Sequence, residues 1–242
     1  MAALAEGPRP ASAARVTLAG RDDVPIEAIV ARPDDGEPSA GLVLHPDLLG
    51  VRPLFDDLCR RVATHGYAVC CPEPFARAPA ATRDAGTAEP RLAWLPHLDD
   101  DQQLADLTVA GDALAVAEVS VLGFCMGGMQ TLKAAATGRF RRAVPFYGMI
   151  RVPAEWRGPG LHEPLDTAAA VCPTLAVFGG SDPFTPPADI EALRAAWRGR
   201  DDCEVVVFPD AEHGFVHDPA RPAHRPDDAA DAWRRALRFL DR

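Results

Sequence analysis

A doubly wound, mostly parallel α/β sheet with helices on both faces is the fold class this sequence predicts, and three observations predict it. Short apolar runs at 41–45, 67–71, 118–122, 142–147, 174–178 and 204–208 alternate with helical periodicity at 54–63, 102–116, 187–197 and 225–240. That is the order of a parallel sheet with crossover helices. The run at 41–45 is nearly continuous, as expected of a strand buried on both faces. At 242 residues the chain is long enough for one such domain with a sizeable core.

Taken in order, residues 1–14 are rich in alanine and proline and read as a flexible N-terminal arm, with a single domain over 15–242. Segments 15–18 and 26–32 alternate around the turn Gly20-Arg21-Asp22-Asp23 and predict an opening hairpin. The strand at 41–45 runs into the loop His45-Pro-Asp-Leu-Leu-Gly50, and a helical stripe of Leu54, Leu58, Val62 and Ala63 follows. After the strand at 67–71, closed by Pro72, residues 73–101 show weak periodicity and many prolines. So long a segment in a compact domain is often functional, and here it is placed across the carboxyl edge of the sheet as a pocket wall. Helix 102–116 leads to the strand at 118–122, and a second irregular crossing spans 148–170. The strand at 174–178 ends in Gly179-Gly-Ser-Asp-Pro183, and the one at 204–208 runs on to His213-Gly-Phe215. In the last helix Ala229, Trp233, Ala236, Leu237 and Leu240 form the core face.

Composition excludes several classes of partner. A net charge of −10 argues against nucleic acid and anionic membrane surfaces. No apolar run approaches the ~20 residues of a membrane span, so no membrane partner and a cytoplasmic location are expected. The six cysteines, two of them adjacent at Cys70 and Cys71, read as reduced thiols, and no Cys-x-x-Cys pair offers a zinc site. No metal or cofactor is called for, and the state is a monomer or a small homo-oligomer.

The most informative stretch is 121–131, where Gly123-x-Cys125-x-Gly127 joins a strand to a helix. Glycines on both sides suit a strained turn in which the apex side chain stands above the sheet edge and its neighbours press on backbone. The amide of Met126 would then face a developing oxyanion, at a helix N-terminus of positive partial charge. Two plainer readings compete. Buried cysteine is usually a small hydrophobe, which suits Cys59, Cys70, Cys71, Cys172 and Cys203 better than the glycine-bracketed Cys125. A dinucleotide fingerprint would need a glycine where Cys125 stands and an acidic residue ending the following strand.

Ligands of such sheets sit at the carboxyl ends of the strands. Three of those ends carry, in order, a nucleophile, an acid and a base: Cys125, Asp182 and His213. His213 would pair with the thiol, and Asp182 would fix the imidazole tautomer. Asp182 could instead start the turn at Pro183, and His213 could be a loop histidine or half of a metal pair with His217.

Residues 47–51, 68–72, 123–128, 146–148, 179–182 and 213–215 resemble the dienelactone hydrolase family of the α/β-hydrolase fold, over about 15–242. The cysteine elbow with its double glycine is the most specific of these stretches. The resemblance implies a catalytic Cys125, Asp182 and His213, oxyanion amides on Met126 and Leu48, and no cofactor. It also places Asp47 at the family's thiol-gating glutamate, and His217 at one of the arginines that hold a substrate carboxylate. Arg83 and Arg91 are candidates for another. Arg221 and Arg225 read either as an anion site or as a solvated loop. The expected activity is hydrolysis of a small ester or lactone through an acyl-enzyme. The alternative is a non-catalytic scaffold of the same fold that binds a small acid or a partner protein.

Overall fold

The computed structural model describes residues 2–242. Its elements, in chain order, are β1 (Ala11–Ala19), β2 (Pro25–Pro33), β3 (Ala40–His45), α1 (Pro53–Ala63), β4 (Tyr67–Pro72), α2 (Ala80–Arg83), α3 (Glu89–Trp94), α4 (Asp100–Asp112), β5 (Val119–Phe124), α5 (Met126–Ala134), β6 (Ala143–Phe146), α6 (Pro164–Thr167), β7 (Thr174–Gly179), α7 (Pro187–Ala196), β8 (Cys203–Phe208) and α8 (Pro226–Leu240). The strands form one sheet in the order β1-β2-β4-β3-β5-β6-β7-β8. Pairing is antiparallel from β1 through β2 to β4 and parallel elsewhere. The architecture is that of the α/β-hydrolase fold.

Strand periodicity sorts the core into two layers. On β5, Leu122 and Phe124 face α1 and α8, whereas Val119 and Val121 face α4, α5 and α7. On β7, Leu175 and Val177 join the first layer and Ala176 and Phe178 the second. Helix α8 meets the sheet along the predicted face, with Ala229, Trp233, Ala236 and Leu240 buried. All six cysteines are free thiols.

The chain leaves β3 through α1 to β4 on one side and later returns to β5 on the other. The strand order therefore reverses between β3 and β5, whose ends are in register at His45 and Gly123. A crevice at such a switch point is where open α/β sheets bind ligands.

Three expectations change. Residues 2–9 are docked, not loose: Ala2 and Leu4 are buried in the layer beneath α1. The Ala2 amide donates to Asp57 at 2.7 Å and the Gly7 amide to Thr64 Oγ1 at 2.6 Å. Strand β1 begins at Ala11, inside the supposed arm. Residues 73–101 hold two short helices, α2 and α3. Helix α4 starts early because the Asp99 carboxylate accepts from the Gln102 amide, and it stops at Asp112, short of Ala115 with its left-handed φ of 52°.

Candidate active site

Strand β5 delivers Cys125 into a turn with φ 58° and ψ −119°. A left-handed φ at a residue with a Cβ costs about 1–3 kcal/mol and persists only where its surroundings enforce it. Here they do. A Cβ at Gly123 would stand 2.3 Å from the Gly127 carbonyl oxygen, and one at Gly127 would stand 2.3 Å from that of Pro46. Only glycine lets the start of α5 press against β5 and β3 this closely, and the sharp turn lifts the half-buried thiol above the sheet edge.

The structure brings the acid and base together as the strand order predicts. Asp182 Oδ2 accepts from His213 Nδ1 at 2.7 Å, while Oδ1 accepts from the Phe184 amide at 2.8 Å. One oxygen thus makes the turn and the other holds the imidazole. With Nδ1 committed, Nε2 is the ring nitrogen left for a further partner. The rings of Phe184 and Tyr147 approach His213 edge-on, at 4.9 and 5.2 Å. Burial pulls the imidazole's pKa down. The charge on Cys125, the hydrogen bonds to Asp182 and Cys125, and the Asp182 charge overcome that pull and raise it to about 10.

Facing the thiol from β3 is the loop 46–52. Among the described residues, neither the Leu48 nor the Met126 amide meets a backbone or side-chain acceptor. The Leu49 amide instead binds Asp47 Oδ1 at 3.0 Å, and the Gly50 amide binds the Asp47 carbonyl at 2.9 Å. Gly50 has φ 64°, and a Cβ there would collide with Arg91 and Glu73.

Asp47 itself is buried and crowded with donors. Arg52 donates to both of its oxygens, at 2.6 and 2.8 Å, and His217 Nε2 to Oδ2 at 2.8 Å. Burial works to raise the carboxyl, but His217 and Arg52 outweigh it and hold the group far below the usual carboxylate range. No hydrogen bond joins it to Cys125 among the described residues.

The residues expected to hold a substrate carboxylate do other work. His217 is 0% exposed and stacks with Phe124 at 4.6 Å and Phe55 at 5.8 Å. Its Nδ1 accepts from the Tyr147 hydroxyl at 2.5 Å. Burial lowers its pKa despite Asp47, so the ring is neutral and both nitrogens are occupied. That removes it from any substrate contact and from a metal pair with His213. Arg91 is equally committed: Nη1 binds buried Glu73 at 2.9 Å, and Nη2 binds the Arg83 carbonyl. Arg83 pairs with Asp84 at 3.0 Å. Both arginines line a cleft of about 360 Å³ with Arg52, Glu73 and Val51, and Cys125 and His213 are not part of it.

The wall above the thiol is apolar. Residues Phe75, Leu95, Met149, Val152 and Trp156 form a third cluster, against which Leu48 and Cys125 pack. They come from the two irregular crossings, and Met126 and Met129 of α5 complete the cluster. Sequence reasoning missed Tyr147 and Arg52. Tyr147 lies in the Phe146-Tyr-Gly148 stretch, and its φ of 38° is a second strained non-glycine residue at this edge.

A sequence profile of the dienelactone hydrolase family matches residues 26–242. The chain is 33% identical over 232 residues to a "Putative carboxymethylenebutenolidase" of Salmonella typhimurium, covering 90% of this chain and 83% of that one. It is 29% identical over 230 residues to the carboxymethylenebutenolidase of Rhodococcus opacus, covering 92% and 88%. Among solved structures, a "Putative Dienelactone Hydrolase" of Klebsiella pneumoniae superposes with a TM-score of 0.87 at 26% identity, over 96% of this chain and 99% of the other.

Proposed function

The chain belongs to the dienelactone hydrolase family and is an ester or lactone hydrolase; from that premise we propose that it acts through an acyl-enzyme on Cys125. The observation that carries this reading is the Asp182–His213 pair at 2.7 Å at the carboxyl edge of the sheet, with Cys125 on a strained elbow near enough to act on the imidazole.

The Cys125 thiolate attacks the carbonyl carbon, and the electron pair moves to oxygen. The Leu48 and Met126 amides receive that oxyanion, and both are unengaged in the protein alone. Donors held ready in this way need no reorganisation as charge develops. Collapse expels the alkoxide, which takes the His213 proton. In a lactone the resulting alcohol remains tethered to the acyl group.

Acylation also removes the charge on sulfur, the strongest upward influence on His213. Having already given its proton to the leaving alkoxide, the imidazole stays neutral without that charge and serves as the base for water. Hydroxide adds, the second tetrahedral intermediate collapses, and the thiolate leaves. Because a thiolate leaves easily, activated esters and enol lactones are better substrates than amides.

The substrate is a small neutral ester or lactone with an apolar acyl group, since His217, Arg83 and Arg91 are committed elsewhere and the wall over the thiol is apolar. The enzyme works in the cytoplasm, where its six free thiols stay reduced. The test is stopped-flow kinetics with p-nitrophenyl acetate and with a carboxylate-bearing dienelactone, wild type beside Cys125→Ala. A burst that Cys125→Ala abolishes is expected, with the neutral ester preferred. A folded protein whose Cys125 is inert to both esters and iodoacetamide would return the molecule to the scaffold reading.

A further inference from the structure

We propose that the buried chain Arg52–Asp47–His217–Tyr147 is an anchor for the oxyanion loop, not a gate on the thiol. The proposal rests on the reading of Leu48 as an oxyanion donor. It assigns Arg52, His217 and Tyr147 as positioning residues that act through the Leu48 amide.

The chain is fully specified by its hydrogen bonds. An ionised Asp47 can only accept, so His217 Nε2 donates to it. The neutral ring then accepts at Nδ1, and the Tyr147 hydroxyl donates there. Arg52 closes the other end with a two-pronged contact to the same carboxylate. Three elements meet in this line: the loop after β3, the end of β6, and the segment leading to α8. The rings of Phe124 and Phe55 pack against His217 at 4.6 and 5.8 Å and fix its plane.

The far end of the loop is held by a second buried acid. Glu73 accepts from the Val51 amide at 2.8 Å, from the Phe75 amide at 3.0 Å and from Arg91 at 2.9 Å. Glu73 and Arg91 are 3% and 4% exposed. The loop is therefore clamped at Asp47 and at Val51, and each clamp is a carboxylate saturated by donors. Between the clamps, the Leu49 and Gly50 amides turn inward to Asp47 and the Leu48 amide alone is left outward. A gating acid would need an oxygen turned to the thiol. Asp47 spends both on Arg52, one also on His217 and the other on Leu49.

Two reactions of Cys125 separate the roles. Acylation by p-nitrophenyl acetate passes through an oxyanion, whereas alkylation by iodoacetamide needs the same thiolate and no oxyanion hole. The variants are Asp47→Asn, which keeps the side-chain shape, and Arg52→Gln, whose side chain reaches solvent and leaves the core intact. In both, the burst rate constant and kcat should fall roughly 10–100-fold with KM nearly unchanged, less than the ~10²–10³ expected for deleting a donor outright. The alkylation rate and its pH profile should match wild type. An alkylation profile that slows or shifts in step with kcat would mean that Asp47 acts on the thiol, and the proposal would fall. Wild-type kcat in both variants would also overturn it. A wild-type protein with no Cys125-dependent burst would instead remove the acyl-enzyme reading, and this inference with it.

Discussion

At the scale of single residues, the site is governed by what each charge faces. His213 is buried, which disfavours its cation, yet it faces the Cys125 sulfur and the Asp182 carboxylate and so holds its proton to about pH 10. Because this folded value lies above the ordinary 6.5, the pairing's contribution to stability is full below about pH 6.5. It is lost as pH rises through about 10. Removing the sulfur should expose the cause directly. In Cys125→Ala the imidazole resonances, followed by NMR against pH, should titrate well below the wild-type value. An unchanged titration would mean that Asp182 alone sets the charge of the ring. His217, only four residues away, faces the opposite balance: complete burial keeps it neutral beside its aspartate.

At the scale of elements, the elbow helix is secured from its far side. Lys133, near the C-terminal end of α5, binds both oxygens of Asp100 at 2.8 Å, and Gln130 Nε2 and the His162 amide complete that carboxylate's shell. This pair ties α5 to the first turn of α4 and to the second irregular crossing. Lys133→Ala would leave Asp100 buried with its counter-ion gone, a loss of about 3–5 kcal/mol. Urea unfolding followed by circular dichroism checks it, and a change under 1 kcal/mol would mean that the pair contributes little. Most long elements were legible because apolar runs and stripes are local signals: β3 to β8, α1, α7 and α8 all fall within a few residues of their expected bounds. The helices α2 and α3, of four and six residues, carry too few turns to show a period. The docked segment 2–9 is held by backbone bonds to Asp57 and Thr64, and its alanine-rich composition says nothing of them.

At the scale of the whole molecule, the gathering of Cys125, Asp182 and His213 was legible because topology puts the carboxyl ends of β3 to β8 at one edge, whatever lies between in sequence. The carboxylate-binding residues were not. His217 meets Asp47 across 170 residues, and nothing local announces that the two are partners. The reversal of strand order between β3 and β5 has a further consequence. Cys125, Asp182 and His213 all stand on the β5–β8 side together with the Met126 amide, whereas the Leu48 amide stands on the other. The two amides proposed to hold the oxyanion thus belong to two halves of the sheet that meet along a single seam. A shift of about an ångström along that seam would spoil the oxyanion contact and spare the thiol–imidazole pair, since placement errors of this size cost up to 10²-fold. Under rising urea, ester turnover should therefore fade before Cys125 loses its native rate of alkylation. If the two decline together, the halves move as one body. If they separate, the enzyme's weakest joint is also the line across which its two oxyanion donors face each other.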